Sequence, residues 1–423
     1  MHATTVQRSL IAVVQVLTLT VWFSASAVVP ALRSEWGIDA TAAVWLTASV
    51  QIGFVVGAVS STALNLADRL PSHLLMAGSA LAAAAATAAF ALTAHGLSAG
   101  IALRFVTGLF LAGVYPVGMK LMASWSQPHT RARAFGVLIG ALTLGSALPH
   151  LIGGLGSLPW RGVMLTAAVT ATVGALAAAT LVRPGPLLAQ ANLTRPNPRY
   201  AVRMFAEREP RLVNLGYFGH MWELYALWTW IPSYLVAANA RRVDGSQTPV
   251  QLTTFLAMGV AGVVGCLVGG WAADRFGRPA AATTALAVSG LCCLVSPLVF
   301  GTSPVLMLAF AAVWGATVIA DSGVFSTALS EVADQRYVGT ALTAQTAIGF
   351  LLTVVTIQLV PVLAGLVGWQ YSLLLLAPGP IGGAMAMARF GRRHRRARPD
   401  PAGDPRPRAY VPLTTSHPTE TCS

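Results

Sequence analysis

Charge is what this 423-residue chain has least of: 27 basic and 14 acidic residues make up 10% of it, and Lys120 is its single lysine. With 55% hydrophobic residues and a mean hydropathy of +0.66, it has too little polar surface to cover a water-soluble core, which excludes an ordinary soluble domain. Cysteine is also scarce. Cys266, Cys292 and Cys293 lie inside apolar runs and Cys422 near the end, so neither a disulfide framework nor metal-ligand spacing is present. No phosphate-binding loop occurs, so nucleotide-driven chemistry is not expected and no cofactor is called for. Alternating strands are missing as well, which leaves helices as the means of crossing a bilayer. No catalytic cluster gathers near a membrane surface, so an enzyme is not expected.

What the chain does have is apolar runs of about 20 residues, the length that spans a bilayer. Between polar breaks they predict helices near 9–32, 43–65, 74–94, 98–123, 134–155 and 161–182. A second six follows near 212–238, 249–272, 280–302, 304–330, 340–366 and 367–389. The first run, with Arg8 before it and Ser24-Ala25-Ser26-Ala27 inside it, has the outline of a secretory leader. It continues apolar to Leu32 and is expected to stay as a span.

The organisation predicted is an all-α integral membrane protein with 12 transmembrane helices in two six-helix halves, 1–182 and 212–389. A Pro- and Arg-rich linker, 183–211, joins them and is a place for a short amphipathic helix. A tail, 390–423, starts basic and becomes Pro-rich, and is expected to be disordered. If both termini are cytoplasmic, 21 of the 27 basic residues fall in cytoplasmic segments and four in outer loops. The positive-inside rule therefore puts both ends inside, as a multi-pass protein of the cell membrane. The basic tail is expected to meet anionic lipid rather than nucleic acid, and a monomer is the expected state.

Two joints between helices match. Gly270-Trp271-Ala272-Ala273-Asp274-Arg275-Phe276-Gly277-Arg278 follows helix eight, and Leu66-Ala67-Asp68-Arg69 follows helix two, with Asp274 and Asp68 206 positions apart. A duplicated half is the simplest reading. In the second copy Gly270, Asp274, Arg275, Gly277 and Arg278 stand where the major facilitator superfamily carries its turn signature, and the chain is identified as resembling that family. The resemblance covers residues 9–389. It implies a latch between the halves built on Gly270, Asp274, Arg275, Gly277 and Arg278, with Asp68 and Arg69 as a looser counterpart. The first copy departs from the pattern, with Leu64 and Pro71 in place of glycines and His73 in place of a basic residue.

Polar residues inside lipid-spanning helices are costly and mark function. Helix four has Arg104-Phe105-Val106-Thr107-Gly108, similar to the superfamily's arginine motif, with Tyr115 on the same face. Lys120 points away and is expected to reach the headgroups. Helix five carries Gly136, Gly140, Gly145, Pro149, His150, Gly153 and Gly154. It resembles the glycine-proline motif of the family's drug and proton antiporters, although Leu148 replaces one glycine. On helix seven His220, Glu223 and Trp230 share a face, with Trp222, Tyr225 and Trp228 elsewhere. Helix ten has Trp314, Thr317, Asp321 and Phe325 on one face, and helix one Gln15, Thr18 and Trp22.

The family resemblance implies that helices one, four, seven and ten line a central cavity. The expected lining is Gln15, Thr18, Trp22, Arg104, Tyr115, Trp230, Trp314, Thr317 and Phe325. Glu223 is expected to be the main proton-coupling acid, with His220 as its modulator and Asp321 as its rival. Each has a plain alternative: Glu223 as a hydrogen-bonded anchor, Arg104 as a fixed interhelix contact. The function expected is proton-coupled secondary transport of a small organic solute by alternating access. The residues suggest a neutral, zwitterionic or cationic solute with an aromatic ring. Helices two and eight hold no interior arginine, which sets the chain apart from the family's nitrate porters. The other reading is a non-transporting sensor or scaffold with a transporter fold.

Overall fold

A computed structural model describes residues 2–64, 66–127, 130–155, 158–188, 198–242, 245–334 and 337–397. Among them every long element is a helix. The first six spans are α1 (Ala3–Trp36), α2 (Thr41–Ala63), α3 (Ser72–Thr93), α4 (Leu97–Ser124), α5 (Arg133–Leu155) and α6 (Trp160–Thr180). The second six begin with α7 (Arg208–Ala240), a 33-residue helix. They continue with α8 (Val250–Phe276), α9 (Arg278–Val299), α10 (Pro304–Val332), α11 (Val338–Val367) and α12 (Trp369–Arg393). All except α7 are apolar enough along their length to cross a membrane. Asn214, His220 and Glu223 dilute the hydropathy of α7, and the structure buries all three.

Within the first six, α1 packs on α5 and α6, α2 on α4, and α3 on α4 and α6. In the second six, α7 packs on α11 and α12, α8 on α10, and α9 on α10 and α12. Every pair thus has a counterpart six helices later. Small residues allow the same close approach in both halves. A methyl group on Gly53 or Gly57 of α2 would overlap the carbonyls of Phe105 or Leu109 in α4, and one on Gly265 or Gly269 of α8 would overlap those of Ala316 or Ala320 in α10.

Two seams join the halves, α2 against α11 and α5 against α8. Three helices are interrupted where the seams meet. In α1 the helix tightens at Leu19–Val21 and restarts at Ser24. In α4 it breaks between Leu111 and Tyr115, with Pro116 in the first turn of the restart. In α10 it breaks between Ile319 and Ser322, at Asp321. The α4 and α10 breaks are counterparts.

Of the linker, residues 189–197 lie outside the described part, as does the tail from 398 onward. A short helix, Pro198–Arg203, does occupy the linker. Its buried Tyr200 lies 5.3 Å from Tyr337, ring to ring, and the Tyr200 hydroxyl accepts the Asp334 N–H at 2.6 Å. This helix is docked on the α10–α11 turn.

Candidate functional site in the seam between the halves

Where the seams converge, about halfway along the helices, aromatic rings from both halves meet. Trp22 of α1 lies 5.1 Å from Phe54 of α2, 6.1 Å from Tyr225 of α7 and 5.8 Å from Phe350 of α11. Phe54 and Phe350 approach to 4.4 Å, and Phe23 reaches Tyr225 and Trp228 at 5.9 and 5.7 Å. All are buried. Such rings offer flat apolar faces that a planar solute can replace without loss of contact.

Above and below the rings the seam is shut. At one end, His150 Nδ1 donates to Gln251 Oε1 at 2.8 Å, and Gln251 Nε2 donates to the Ala27 carbonyl at 3.3 Å. At the opposite, basic end, where α1 begins and α12 finishes, the Thr62 and Thr343 hydroxyls meet at 3.0 Å and Arg133 pairs with Asp274 at 3.1 Å. The two halves are thus in contact at both ends of the seam.

One helical turn toward the basic end from the rings, His220 Nδ1 stands 2.9 Å from Asp321 Oδ1. The approach is out of line for a hydrogen bond, so neither carboxylate oxygen of Asp321 receives a donor among the described residues. His220 Nε2 shares a hydrogen bond of 2.8 Å with Ser322 Oγ, and the ring is flanked by Tyr217 and Phe325. The α10 break puts Asp321 at the start of a new helical segment, facing α7.

Glu223, one turn further along α7, has a different environment. Its Oε1 accepts from Ser289 at 2.7 Å, from Trp314 Nε1 at 2.6 Å and from Cys293 Sγ at 3.2 Å. These donors belong to α9 and α10, so Glu223 faces the interior of its own half. His220 therefore has Asp321, not Glu223, as its partner. A shared helical face gave the reach, but the neighbouring helices decided the pairing.

Arg104 is likewise held locally. Its Nη1 donates to the Val21 carbonyl at 2.9 Å and to Ser24 Oγ at 3.4 Å, and its Nη2 donates to the Trp22 carbonyl. The break in α1 frees these carbonyls from helical bonding, and the guanidinium satisfies them. Arg104 meets neither acid in this conformation. Lys120, expected at the headgroups, instead donates to the Ala67 carbonyl at 2.6 Å and so ties α4 to the first joint.

Several expected lining residues face the inside of one half. Gln15 donates to the Val114 carbonyl at 3.1 Å and fills the space left by Gly118. Thr18 bonds its own helix at Val14 and lies against Gly174 of α6; Thr317, only partly buried, bonds the carbonyl of the exposed Val313 on its own helix. Trp230 donates to the Ile357 carbonyl at 2.8 Å and stacks near Trp369. Trp22 does reach the seam, and Tyr115 is a partly buried residue packed against the same core. Phe54, Tyr225, Trp228 and Phe350 were missed. Tyr225 and Trp228 lie off the face of α7 that carries Glu223, and that face packs inward.

Helix α8 ends at Gly277 with φ of 87°, a conformation glycine takes without strain. Arg278 then pairs with Glu331 at the end of α10. Arg69 and Arg275 are exposed, and the side chain of Asp68 lies outside the described residues.

The sequence profile of the Major Facilitator Superfamily matches residues 11–357 and 215–418. The chain belongs to the major facilitator superfamily. Among its relatives are the niacin transporter NiaP of Acinetobacter baylyi, 28% identical over 59% of this chain, and a gallate transporter of Pseudomonas putida, 26% identical over 63%. These alignments span 62% and 64% of the relatives' own length.

Among solved structures, the xylose transporter XylE of E. coli in a partially occluded, inward-open conformation superposes with a TM-score of 0.70. It is 13% identical and covers 92% of this chain and 98% of that one. A second structure, the proton:xylose symporter XylE bound to 6-bromo-6-deoxy-D-glucose, gives 0.68 at 14% identity, covering 92% and 96%. At these identities the likeness is one of fold. The profile match and the apolar helices together make this chain a multi-span membrane protein of that superfamily.

Proposed function

We propose that this superfamily member is a secondary transporter that carries a small organic solute with an aromatic ring through the seam by alternating access. The observation that carries the reading is the buried cluster of Trp22, Phe54, Tyr225 and Phe350, drawn from both halves at mid-depth. Rings contributed by both halves can close on a planar solute and part on either side of it. The solutes named for the two relatives, niacin and gallate, both contain an aromatic ring, which favours the same class.

Coupling to protons belongs, in this reading, to the His220–Asp321 pair. It sits one turn from the rings on two different helices, its carboxylate lacks hydrogen-bond donors among the described residues, and it would come apart if α7 separated from α10. Glu223 serves as an anchor between α7, α9 and α10. The latch reading attaches to Asp274, whose partner Arg133 lies in the other half. The basic end, with both termini, faces the cytoplasm of the cell membrane, and a reporter fused after Ser423 that is active only when exported would refute this.

Reconstitution into liposomes provides the test. Labelled aromatic solutes should exchange between equal pools in counterflow and accumulate under an imposed pH gradient. Absence of flux for every aromatic solute, with a correctly folded protein, would favour the sensor or scaffold reading. Flux without any response to the gradient would remove the proton from the mechanism while leaving the transporter.

A further inference from the structure

Buried hydrogen-bonding groups are nearly always satisfied, so one left without a partner asks what is missing. Gln51 is the one amide in α2. It is wholly buried, and among the described residues neither its Nε2 nor its Oε1 has a partner. Its place is fixed by contacts on either side: Thr47, one turn before it, bonds Ser26 of α1 at 2.8 Å, and Phe54, one turn after it, packs on Trp22 of α1. Gln51 thus sits against the kink of α1, beside the aromatic cluster. The indole N–H groups of Trp22 and Trp228 are also buried without acceptors.

A charge is uncompensated at the same level. Arg104 is 1% exposed and bonds only neutral oxygens of Val21, Trp22 and Ser24; among the described residues no carboxylate pairs with it. The acids of the other half are engaged elsewhere, Asp321 beside His220 and Glu223 with its three donors. The orphaned donors of Gln51 and Trp22 and the guanidinium bonded to the Trp22 carbonyl favour negative charge beside the α1 kink, and Trp228 adds a donor one ring further on, past Phe23 and Tyr225.

We propose that Gln51, with the indole N–H groups of Trp22 and Trp228 and the field of Arg104, forms the seat for a carboxylate on the transported solute. The inference rests on the aromatic reading above and specifies its polar end. The Gln51 Nε2 and the indoles donate to the carboxylate oxygens, the ring lies among Trp22, Tyr225 and Phe350, and the Gln51 Oε1 takes a ring substituent or a water that enters with the solute. Such a solute is an anion, which departs from the neutral, zwitterionic or cationic class suggested by the count of acids alone.

The test measures binding of benzoate, benzamide and benzylamine to the full chain in lipid nanodiscs, with Gln51→Leu and Trp22→Phe beside the wild type. Benzoate should bind most tightly. Gln51→Leu should weaken it by about 10- to 100-fold, the range for losing a hydrogen bond to a charged group, and weaken benzamide less. Trp22→Phe keeps a ring and loses the N–H, so it should act in the same direction. Without ligand, Gln51→Leu should melt at or above the wild-type temperature, because an unpaired amide gives way to an apolar side chain.

A lowered melting temperature with unchanged benzoate affinity would make Gln51 structural and overturn the seat. So would preference of the wild type for benzylamine. Benzamide bound as well as benzoate, with both insensitive to Gln51→Leu, would overturn the seat but leave the aromatic reading intact. If none of the three binds, the aromatic reading falls first and the seat with it.

Discussion

Comparing the two halves separates packing from chemistry. In the first half Gln15 of α1 donates to the Val114 carbonyl at the break in α4. At the corresponding place in the second half His220 of α7 meets Asp321 at the break in α10. Gly118, which makes room for Gln15, corresponds to Phe325, which packs on the His220 ring. The helix pairs, the breaks and the glycine contacts are shared, but one half has a neutral amide where the other has two titratable groups. Duplication preserved what close packing requires and left the polar positions free to diverge. Of the two corresponding places, the second half's is the one that carries titratable side chains, which is why the proposed coupling is assigned there.

The largest expected effects concern what the halves share. Gly57→Leu and Gly269→Leu each force a side chain into a carbonyl of the neighbouring helix, at about 3 kcal/mol or more by the scale of overpacked interiors. Both should fail to give folded protein by size-exclusion chromatography. If one is tolerated, the packing equivalence of the halves breaks.

Asp321→Asn should abolish accumulation driven by a pH gradient, a loss of at least about tenfold, while counterflow persists, because the amide does not titrate. The control in the other half is Gln15→Leu, which should leave gradient coupling intact. If gradient-driven accumulation survives in Asp321→Asn and disappears in Glu223→Gln, coupling returns to Glu223, the acid that the sequence favoured.

Glu223→Gln should act mainly on stability. It puts an amide where three donors converge on a carboxyl oxygen and should cost about 1–3 kcal/mol, seen as a lower melting temperature with a normal pH dependence of transport.

The smallest effect is expected at the joints. Arg133 and Asp274 form an ion pair with Arg133 largely exposed, and such pairs contribute about 0–1 kcal/mol. Asp274→Asn should slow turnover by about two- to threefold with little change in solute affinity, and Arg69→Ala at the first joint should change neither. A raised dissociation constant at normal turnover in Asp274→Asn would remove the latch.

Much of the architecture could be read from the chain itself. A bilayer offers the backbone no water, so each long apolar run has to form a helix, and twelve runs with a repeated joint lead to the superfamily fold. The helix around Glu223 was legible too, since no lipid-facing place exists for a glutamate at that depth. Gln51 could have been noticed as the one amide of α2. Nothing in the sequence marked it as lacking a partner.

Which side chains meet was decided by the tertiary structure alone. Helical periodicity places His220 and Glu223 on one face of α7, but His220 meets α10 at its break while Glu223 is held by donors from both α9 and α10. The same period puts Gln15, Thr18 and Trp22 in a row, yet only Trp22 reaches the seam, because α1 kinks beyond Thr18 and turns its lower residues toward α4 and α6. A sequence specifies the period of a helix and the cost of leaving a polar group in lipid. The direction each face points depends on the packing of all twelve helices at once, and the lack of a carboxylate beside Arg104 among the described residues becomes visible only once Asp321 and Glu223 have been placed.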